Sequence, residues 1–277
     1  MKEENCCVVS CEKPLDQNYW DAQYQTKNIG WDLGEVSPPI KAYIDTLTDK
    51  NLAILIPGCG NTYEAEYLLE KGFTNVTVID IAPTLVENLK EKFADNKNIT
   101  IILGDFFEHQ GKYDLIFEQT FFCALPPTMR QKYVWKMHQL LSSKAVLAGL
   151  LFSRTFEVSP PFGGNQTEYE LLFKDAFQFL KLDVATNSVT PRTNAELFFE
   201  FKKENDVVVS LYQFSGITCS GCKNTVTEKF SKIEAILSVS INTDFSEVLM
   251  VSKNKVDKKT LEACIAYEAL YNIKVIK

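Results

Sequence analysis

The sequence predicts an α/β protein in two parts: a parallel sheet covered by helices on both faces, then a smaller α+β unit of order βαββαβ. Three observations carry this. Short apolar runs alternate with amphipathic stretches from about residue 52 to residue 203. The first run leads straight into Gly58-Cys59-Gly60, a turn of the kind that joins a buried strand to a helix. Beyond a charged stretch, Lys202-Lys203-Glu204-Asn205-Asp206, the alternation changes to strand, helix, strand, strand, helix, strand.

Residues 1–15 carry Cys6, Cys7, Cys11 and Pro14 without periodicity and read as a flexible tail. An aromatic-rich stretch follows, with Tyr19, Trp20, Tyr24 and Trp31. Ser37-Pro38-Pro39 interrupts it, after which Ile40, Tyr43, Ile44 and Leu47 recur at helical spacing. The run 52–56 has the length and flanks of a buried parallel strand. A helix over 61–71 stops at Gly72, 76–79 is a strand, and Pro83 opens a helix to residue 93 in the favoured first-turn position. Strands are expected at 99–103, 113–117 and 144–152, with a helix over 128–141. A helix over 168–180 and strands at 182–189 and 195–202 complete the first unit, the last two as an antiparallel edge. The second unit has strands at 207–214, 236–242, 247–252 and 273–276 and helices at 220–233 and 257–270, a ferredoxin-like arrangement. The expected division is therefore 1–15, 16–205 and 206–277.

Composition narrows the function classes. The 277 residues are 45% hydrophobic and 12% aromatic, ample for a buried core. The net charge is −7, and 1–205 holds 20 basic against 28 acidic residues. An acidic main unit argues against a nucleic-acid partner, because phosphate binding needs clustered Lys and Arg. Eight cysteines at irregular spacing read as free thiols in a reducing compartment. The polar amino terminus does not resemble a signal peptide, and no apolar run is long enough to span a membrane. A soluble cytoplasmic protein with no membrane partner is expected. His109 and His138 are expected at the surface or a helix end, outside any ligand set.

The chemistry-bearing pattern begins at the glycine turn. Gly58 and Gly60 let the backbone turn sharply and a ligand approach closely. Asp80, twenty residues after Gly60, ends the next strand, where a carboxylate can accept ribose hydroxyls. Asp105 follows the third strand beside Phe106, and Glu118 ends the fourth. A lone Gly-x-Gly also fits an ordinary turn, but these acids in register favour a nucleoside ligand. Tyr63 stands where a dinucleotide fold would place a third glycine, which favours an adenosyl ligand without pyrophosphate: S-adenosylmethionine.

Several separated motifs carry a family resemblance: Tyr19-Trp20-Asp21-Ala22-Gln23-Tyr24, Gly30-Trp31-Asp32-Leu33-Gly34-Glu35-Val36-Ser37-Pro38-Pro39, Ile56-Pro57-Gly58-Cys59-Gly60-Asn61, Phe121-Phe122-Cys123-Ala124-Leu125 and Pro160-Pro161-Phe162. Over roughly 15–203 the chain resembles the thiopurine S-methyltransferase family, nearest its thiol and halide methyltransferase branch and bacterial relatives. The resemblance implies a Rossmann-like class I methyltransferase sheet. It implies that Trp20, Tyr24 and Trp31 close over S-adenosylmethionine, with Gly58, Asp80, Asp105, Phe106 and Glu118 lining it. Tyr24 replaces a Trp of plant members, which keeps an aromatic ring but changes the rim. Taken alone, the aromatics also fit an amphipathic helix face; a sulfonium cation is well served by ring faces. A thiolate, halide or hydroselenide acceptor needs no obligatory general base, so no catalytic acid or base is assigned. Candidates for the acceptor wall are Phe121, Phe122, Phe152, Arg154 and Phe162, with Arg154 equally readable as an exposed structural residue.

The second unit holds Gly216-Ile217-Thr218-Cys219-Ser220-Gly221-Cys222 between a strand and a helix start. Two thiolates one helical turn apart converge on a single soft ion, and a helix amino terminus favours the thiolate. This unit resembles the heavy-metal-associated (HMA) domain of copper chaperones and metal-pumping ATPases, with Ile217 in place of the usual Met. The resemblance makes Cys219 and Cys222 metal ligands; two-coordinate thiolate binding favours Cu(I), with Hg(II) or Zn(II) as alternatives by the same softness argument, and a metal-donor or metal-acceptor protein partner is implied. A thioredoxin-like redox pair is the rival, disfavoured by two consecutive strands at 236–252; a vestigial contact domain is a third reading. Cys59 and Cys123 read as buried small residues. Two functions follow: a methyltransferase for a small soft nucleophile (thiol, halide, metalloid or thiopurine) with a metal-binding appendage serving detoxification, or a soft-metal chaperone or buffer whose larger domain binds S-adenosylmethionine in a regulatory role.

Overall fold

The computed structural model describes residues 14–268 and 270–276. The tail cysteines Cys6, Cys7 and Cys11 lie outside the described residues. Seven strands form the first sheet: β1 (Ile54–Pro57), β2 (Val76–Asp80), β3 (Ile99–Leu103), β4 (Tyr113–Gln119), β5 (Leu141–Phe152), β6 (Phe177–Val184) and β7 (Glu196–Lys203). Their order is β3-β2-β1-β4-β5-β7-β6, with β1 to β5 parallel and β7 antiparallel to both neighbours. The order reverses between β1 and β4, which places a crevice at their carboxyl ends.

Side chains of successive strand residues go to opposite cores. Ile54, Ile56, Val76, Val78, Leu115 and Phe117 face one core with Ile40 and Ile44 of α2 (Pro38–Ile44), Ala65 and Leu68 of α3 (Tyr63–Glu70), and Leu85 and Leu89 of α4 (Pro83–Lys92). Leu55, Ile116, Leu147 and Leu151 face the other, with Tyr133, Val134 and Met137 of α5 (Arg130–Leu140) and Leu172 and Phe173 of α6 (Gln166–Phe173). Helices on both faces explain why β1 is apolar throughout and why every residue of β1 and β2 is buried, Thr77 and Asp80 included.

One expectation needs correction. The helix expected over 168–180 ends at Phe173, and Phe177–Val184 is edge strand β6. Asp175 turns the chain with φ +63, and Phe179 then stacks on Phe201 of β7 at 4.4 Å. Cross-strand packing on the neighbour outweighs the helical spacing of this segment. Of the two placements expected for His138, the helix end holds: it sits in the last turn of α5, buried, its Nε2 2.9 Å from the Glu204 carbonyl oxygen. Burial lowers its pKa to about 4, so it is neutral.

The remaining strands, β8 (Val208–Ser215), β9 (Ile236–Ile241), β10 (Glu247–Ser252) and β11 (Asn272–Val275), form a second, antiparallel sheet of order β11-β8-β10-β9. One face, with Tyr212, Phe214, Val248 and Met250, packs on Val226 and Phe230 of α7 (Ser220–Ser231) and on Leu261 and Ile265 of α8 (Lys258–Ile265). The other face carries Leu211, Leu249 and Val251, which join the core containing α5. Helix α5 is thus covered by the first sheet on one side and the second on the other. Two side-chain hydrogen bonds fix this join: Gln131 Nε2 donates to Ser240 Oγ (3.0 Å) and Asn242 Nδ2 to the Thr128 carbonyl (3.0 Å).

Candidate active site

The β1–α3 turn is a run of left-handed backbone: Gly58 at φ +54, Gly60 at φ +51 and Thr62 at φ +52. A β-carbon on Gly58 would lie 2.2 Å from Cδ2 of Phe121, so no other residue fits there without moving that ring. One on Gly60 would meet the Tyr24 hydroxyl at 3.4 Å. Asp80, at the end of β2, accepts from the Gly60 N–H through Oδ2 (3.2 Å) and from the Ala82 N–H through Oδ1 (3.0 Å). Burial raises the pKa of the Asp80 carboxyl, opposed by those amide donors. Burial first, then the nearby Asp80, also pushes the Tyr24 hydroxyl up and keeps it protonated. Tyr24, Gly60 and Asp80 are therefore brought together.

Helix α1 (Gln17–Gln25) is capped by Asp16 and pinned over the ends of β2 and α4. Gln17 Nε2 donates to the Ile81 carbonyl (3.0 Å), and Asp21 Oδ1 accepts from the Thr84 N–H (2.7 Å). That fixes Trp20 and Tyr24 edge-on to Trp31, at 5.6 and 6.0 Å between ring centroids. Sequence reasoning missed two residues that hold this lid. Asp32 accepts from the Gly34 N–H (2.7 Å), the Tyr63 hydroxyl (3.1 Å) and Asn61 Nδ2, tying the lid to the glycine turn. Buried Arg192 donates to the Trp31 carbonyl (2.7 Å) and pairs with buried Glu196 (3.2 Å). A Pro-Arg dipeptide in a loop carries no distinctive signal; Asp32, inside a quoted motif, did.

Asp105 is exposed after β3, its Oδ1 accepting from the Phe107 N–H (2.8 Å). Phe106 is buried and meets Phe121 edge-on at 5.1 Å. Glu118 is turned inward and fully buried. Its Oε1 accepts from the N–H groups of Phe121 and Phe122 (2.8 Å each), and its Oε2 from the Tyr133 hydroxyl (2.5 Å). Burial lifts its pKa to about 7 against the pull of these three donors. Of the acceptor-wall candidates, Phe121 lies over Gly58, whereas Phe122 is a core residue, 1% exposed and packed on Tyr133, Tyr169 and Phe173. Phe152 borders a void of about 10 Å³ with Thr120, Cys123 and Glu196, room for one water at most. Arg154 is exposed, its guanidinium 4.8 Å from the Phe156 ring centroid, and the Phe162 N–H donates to the Cys123 carbonyl (2.6 Å).

In the second sheet's loop, Cys219 caps α7, its Sγ accepting from the Cys222 N–H (3.3 Å). The two Sγ atoms are 2.9 Å apart, Cys219 exposed and Cys222 partly so. Hydrogen bonds from Cys219 and then Tyr271 lower the Cys222 pKa. Ile217 is buried beneath them, and Cys264 packs against the same core. Among the described residues no group of three or more His, Cys, Asp or Glu converges on a point. Nor does any helix there have the length and apolarity to cross a membrane.

A glycine turn, an acid ending β2 and an aromatic lid over a 3-2-1-4-5-7-6 sheet define an S-adenosylmethionine-dependent methyltransferase. Residues 15–208 match the thiopurine S-methyltransferase family, and the chain belongs to it. It is 31% identical over 193 residues to probable thiol methyltransferase 2 of Arabidopsis thaliana, covering 67% of this chain and 85% of that one. It is 28% identical over 190 residues to a thiopurine S-methyltransferase of Acinetobacter baylyi, covering 59% and 86%. Among solved structures, it resembles the Burkholderia thailandensis 1,6-didemethyltoxoflavin-N1-methyltransferase with S-adenosylhomocysteine bound (TM-score 0.56, 15% identity, 68% of this chain and 87% of that one). It also resembles the Synechocystis magnesium protoporphyrin IX methyltransferase with S-adenosylmethionine bound (TM-score 0.54, 14% identity, 68% and 95%). These two likenesses concern the fold. Strands β8 to β11 lie at or beyond the end of the family match.

Proposed function

We propose that the chain methylates a small, soft nucleophile (a thiol, a halide, or a metalloid or thiopurine) with S-adenosylmethionine, at the carboxyl ends of β1, β2 and β4. The convergence of Tyr24, Gly60 and Asp80 beneath Trp20 and Trp31 carries the reading. The bound cofactor supplies a methyl group on a cationic sulfur. Asp80 accepts the ribose hydroxyls, exchanging its amide bonds within the turn for them, while Asp105 and Phe106 border the adenine. Trp20, Tyr24 and Trp31 exclude water and offer ring faces to the cation. Phe121 bounds the acceptor side, and Glu118 acts from beneath by holding the Phe121 and Phe122 amides. An acceptor that arrives ionised needs only alignment in a dry cleft.

In the same reading, 16–205 is the methyltransferase unit and 206–277 a ferredoxin-like HMA module, placed after a tail of 1–15. The Cys219–Cys222 pair then takes one soft ion, Cu(I) ahead of Hg(II) or Zn(II), from or toward a protein partner. Purified protein incubated with sulfide, thiols, iodide, selenite, tellurite or a thiopurine should form S-adenosylhomocysteine with at least one acceptor. Cofactor binding without turnover across that panel would favour the metal-buffer reading instead.

A further inference from the structure

The second sheet has two apolar faces. On β10, Val248 and Met250 face α7 and α8, while Leu249 and Val251 face α5. This join begins where α5 begins, directly after the segment that bears Phe121. Asn242, at the end of β9, is 1% exposed and fully engaged. Its Nδ2 donates to the Thr128 carbonyl (3.0 Å) and to Ser246 Oγ (3.2 Å), and its Oδ1 accepts from the Glu247 N–H (3.0 Å). The Gln131 to Ser240 bond lies beside it. Other ties on the 120–131 segment come from the first unit: Glu118 on the Phe121 and Phe122 amides, the Phe162 N–H on the Cys123 carbonyl, and Arg130 on the Gly163 carbonyl (2.6 Å). Thr128 is thus held by a residue that lies outside the family match of 15–208.

We propose that Asn242 is a positioning residue for methyl transfer, so that the β9–β10 hairpin sets the 120–128 segment and, through it, the Phe121 ring over Gly58. The effect reaches the acceptor rather than the cofactor, because Asp80, Tyr24 and Trp31 have no contact with this hairpin among the bonds that hold them. The inference rests on the reading that Phe121 bounds the acceptor side.

The test uses the full chain with the acceptor that the screen identifies. Asn242→Ala removes the donor to Thr128. Asn242→Asp keeps the acceptor for the Glu247 N–H but turns an oxygen toward the Thr128 carbonyl. Both should lower acceptor kcat/KM about tenfold, since small misplacements near a reacting centre are costly, while S-adenosylhomocysteine affinity changes less than twofold. Ser246→Ala, which removes the second acceptor of Asn242 Nδ2 but leaves its bond to the Thr128 carbonyl, should lower Tm without that loss. Gln131→Ala should give a smaller loss in the same direction and serves if both Asn242 variants fail to fold. Equal kcat/KM in Asn242→Ala, Asn242→Asp and Ser246→Ala would overturn the proposal, as would wild-type kcat/KM in Gln131→Ala when neither Asn242 variant folds. Phe121→Ala separates the two readings: wild-type turnover there removes Phe121 from the acceptor wall, whereas a large loss there with unchanged Asn242 variants sinks the positioning role alone.

Discussion

Glu118→Gln is the most discriminating single change to the candidate site. The native carboxyl is 0% exposed and holds its proton up to about 7, against an ordinary 4.5. The unfolded chain gives that proton up near 4.5. Between these two values the unfolded state binds fewer protons than the native state, so stability falls as pH rises. The contribution is fully present below 4.5 and gone above about 7. A displacement of this size is worth about 3 kcal/mol. A glutamine is nearly isosteric. Its oxygen accepts from the Phe121 and Phe122 amides, and its NH₂ donates to the Tyr133 oxygen, which loses its own acceptor. Being neutral at every pH, it removes the slope. Urea denaturation of both proteins from about pH 5 to about pH 8 should show the stability difference moving toward the variant by about 2.5 kcal/mol, the part of the displacement that lies above pH 5. A difference independent of pH would refute the argument and would mean that the three donors, not burial, control this carboxyl.

Asp80→Ala should weaken S-adenosylhomocysteine binding by about 1–3 kcal/mol in calorimetry, and unchanged affinity would take Asp80 out of the cofactor site. Gly58→Ala should lower cofactor affinity and Tm together, because a residue with a β-carbon is strained at φ +54 and distorts the turn itself; a variant matching wild type in both would show that the turn tolerates a side chain there. Full-length protein should bind one Cu(I) against a competing chelator, and Cys219→Ser with Cys222→Ser should abolish it; retained binding would direct attention to Cys264 or the amino-terminal thiols. Ending the chain at residue 205 should lower Tm by several degrees and impair turnover, because α5 loses its cover of Leu211, Leu249 and Val251; full basal activity in that protein would contradict the packing described.

Most of the strand and helix order was legible, because the first sheet is buried on both faces and its strands stand out as apolar runs between turns. The segment 174–184 was not. Phe177, Phe179 and Leu182 fit either period over so few residues, and partnership with β7 decides for strand. The glycine turn and Asp80 could be read from spacing alone, since both sit at strand ends. The inward turn of Glu118 could not, because a carboxylate at a strand terminus reads the same whether it faces the crevice or the following loop. The burial of His138 was hidden for a related reason: its cover comes from Glu204 and Phe177, distant in sequence. The second sheet did leave a trace of its docking. Val248-Leu249-Met250-Val251 has no polar alternation, which marks a strand covered on both faces.

The position of α5 between two sheets also bears on how the chain reaches its native state. Synthesis runs from the amino end, so α5, ending at Leu140, is complete well before β8 (Val208–Ser215) and β10 (Glu247–Ser252) close over its second face. During that interval the helix exposes apolar surface that nothing in the finished first unit covers. A chain built this way completes the packing of α5 only after β8 and β10 have been made, and a ribosome that stops early releases a product prone to aggregate.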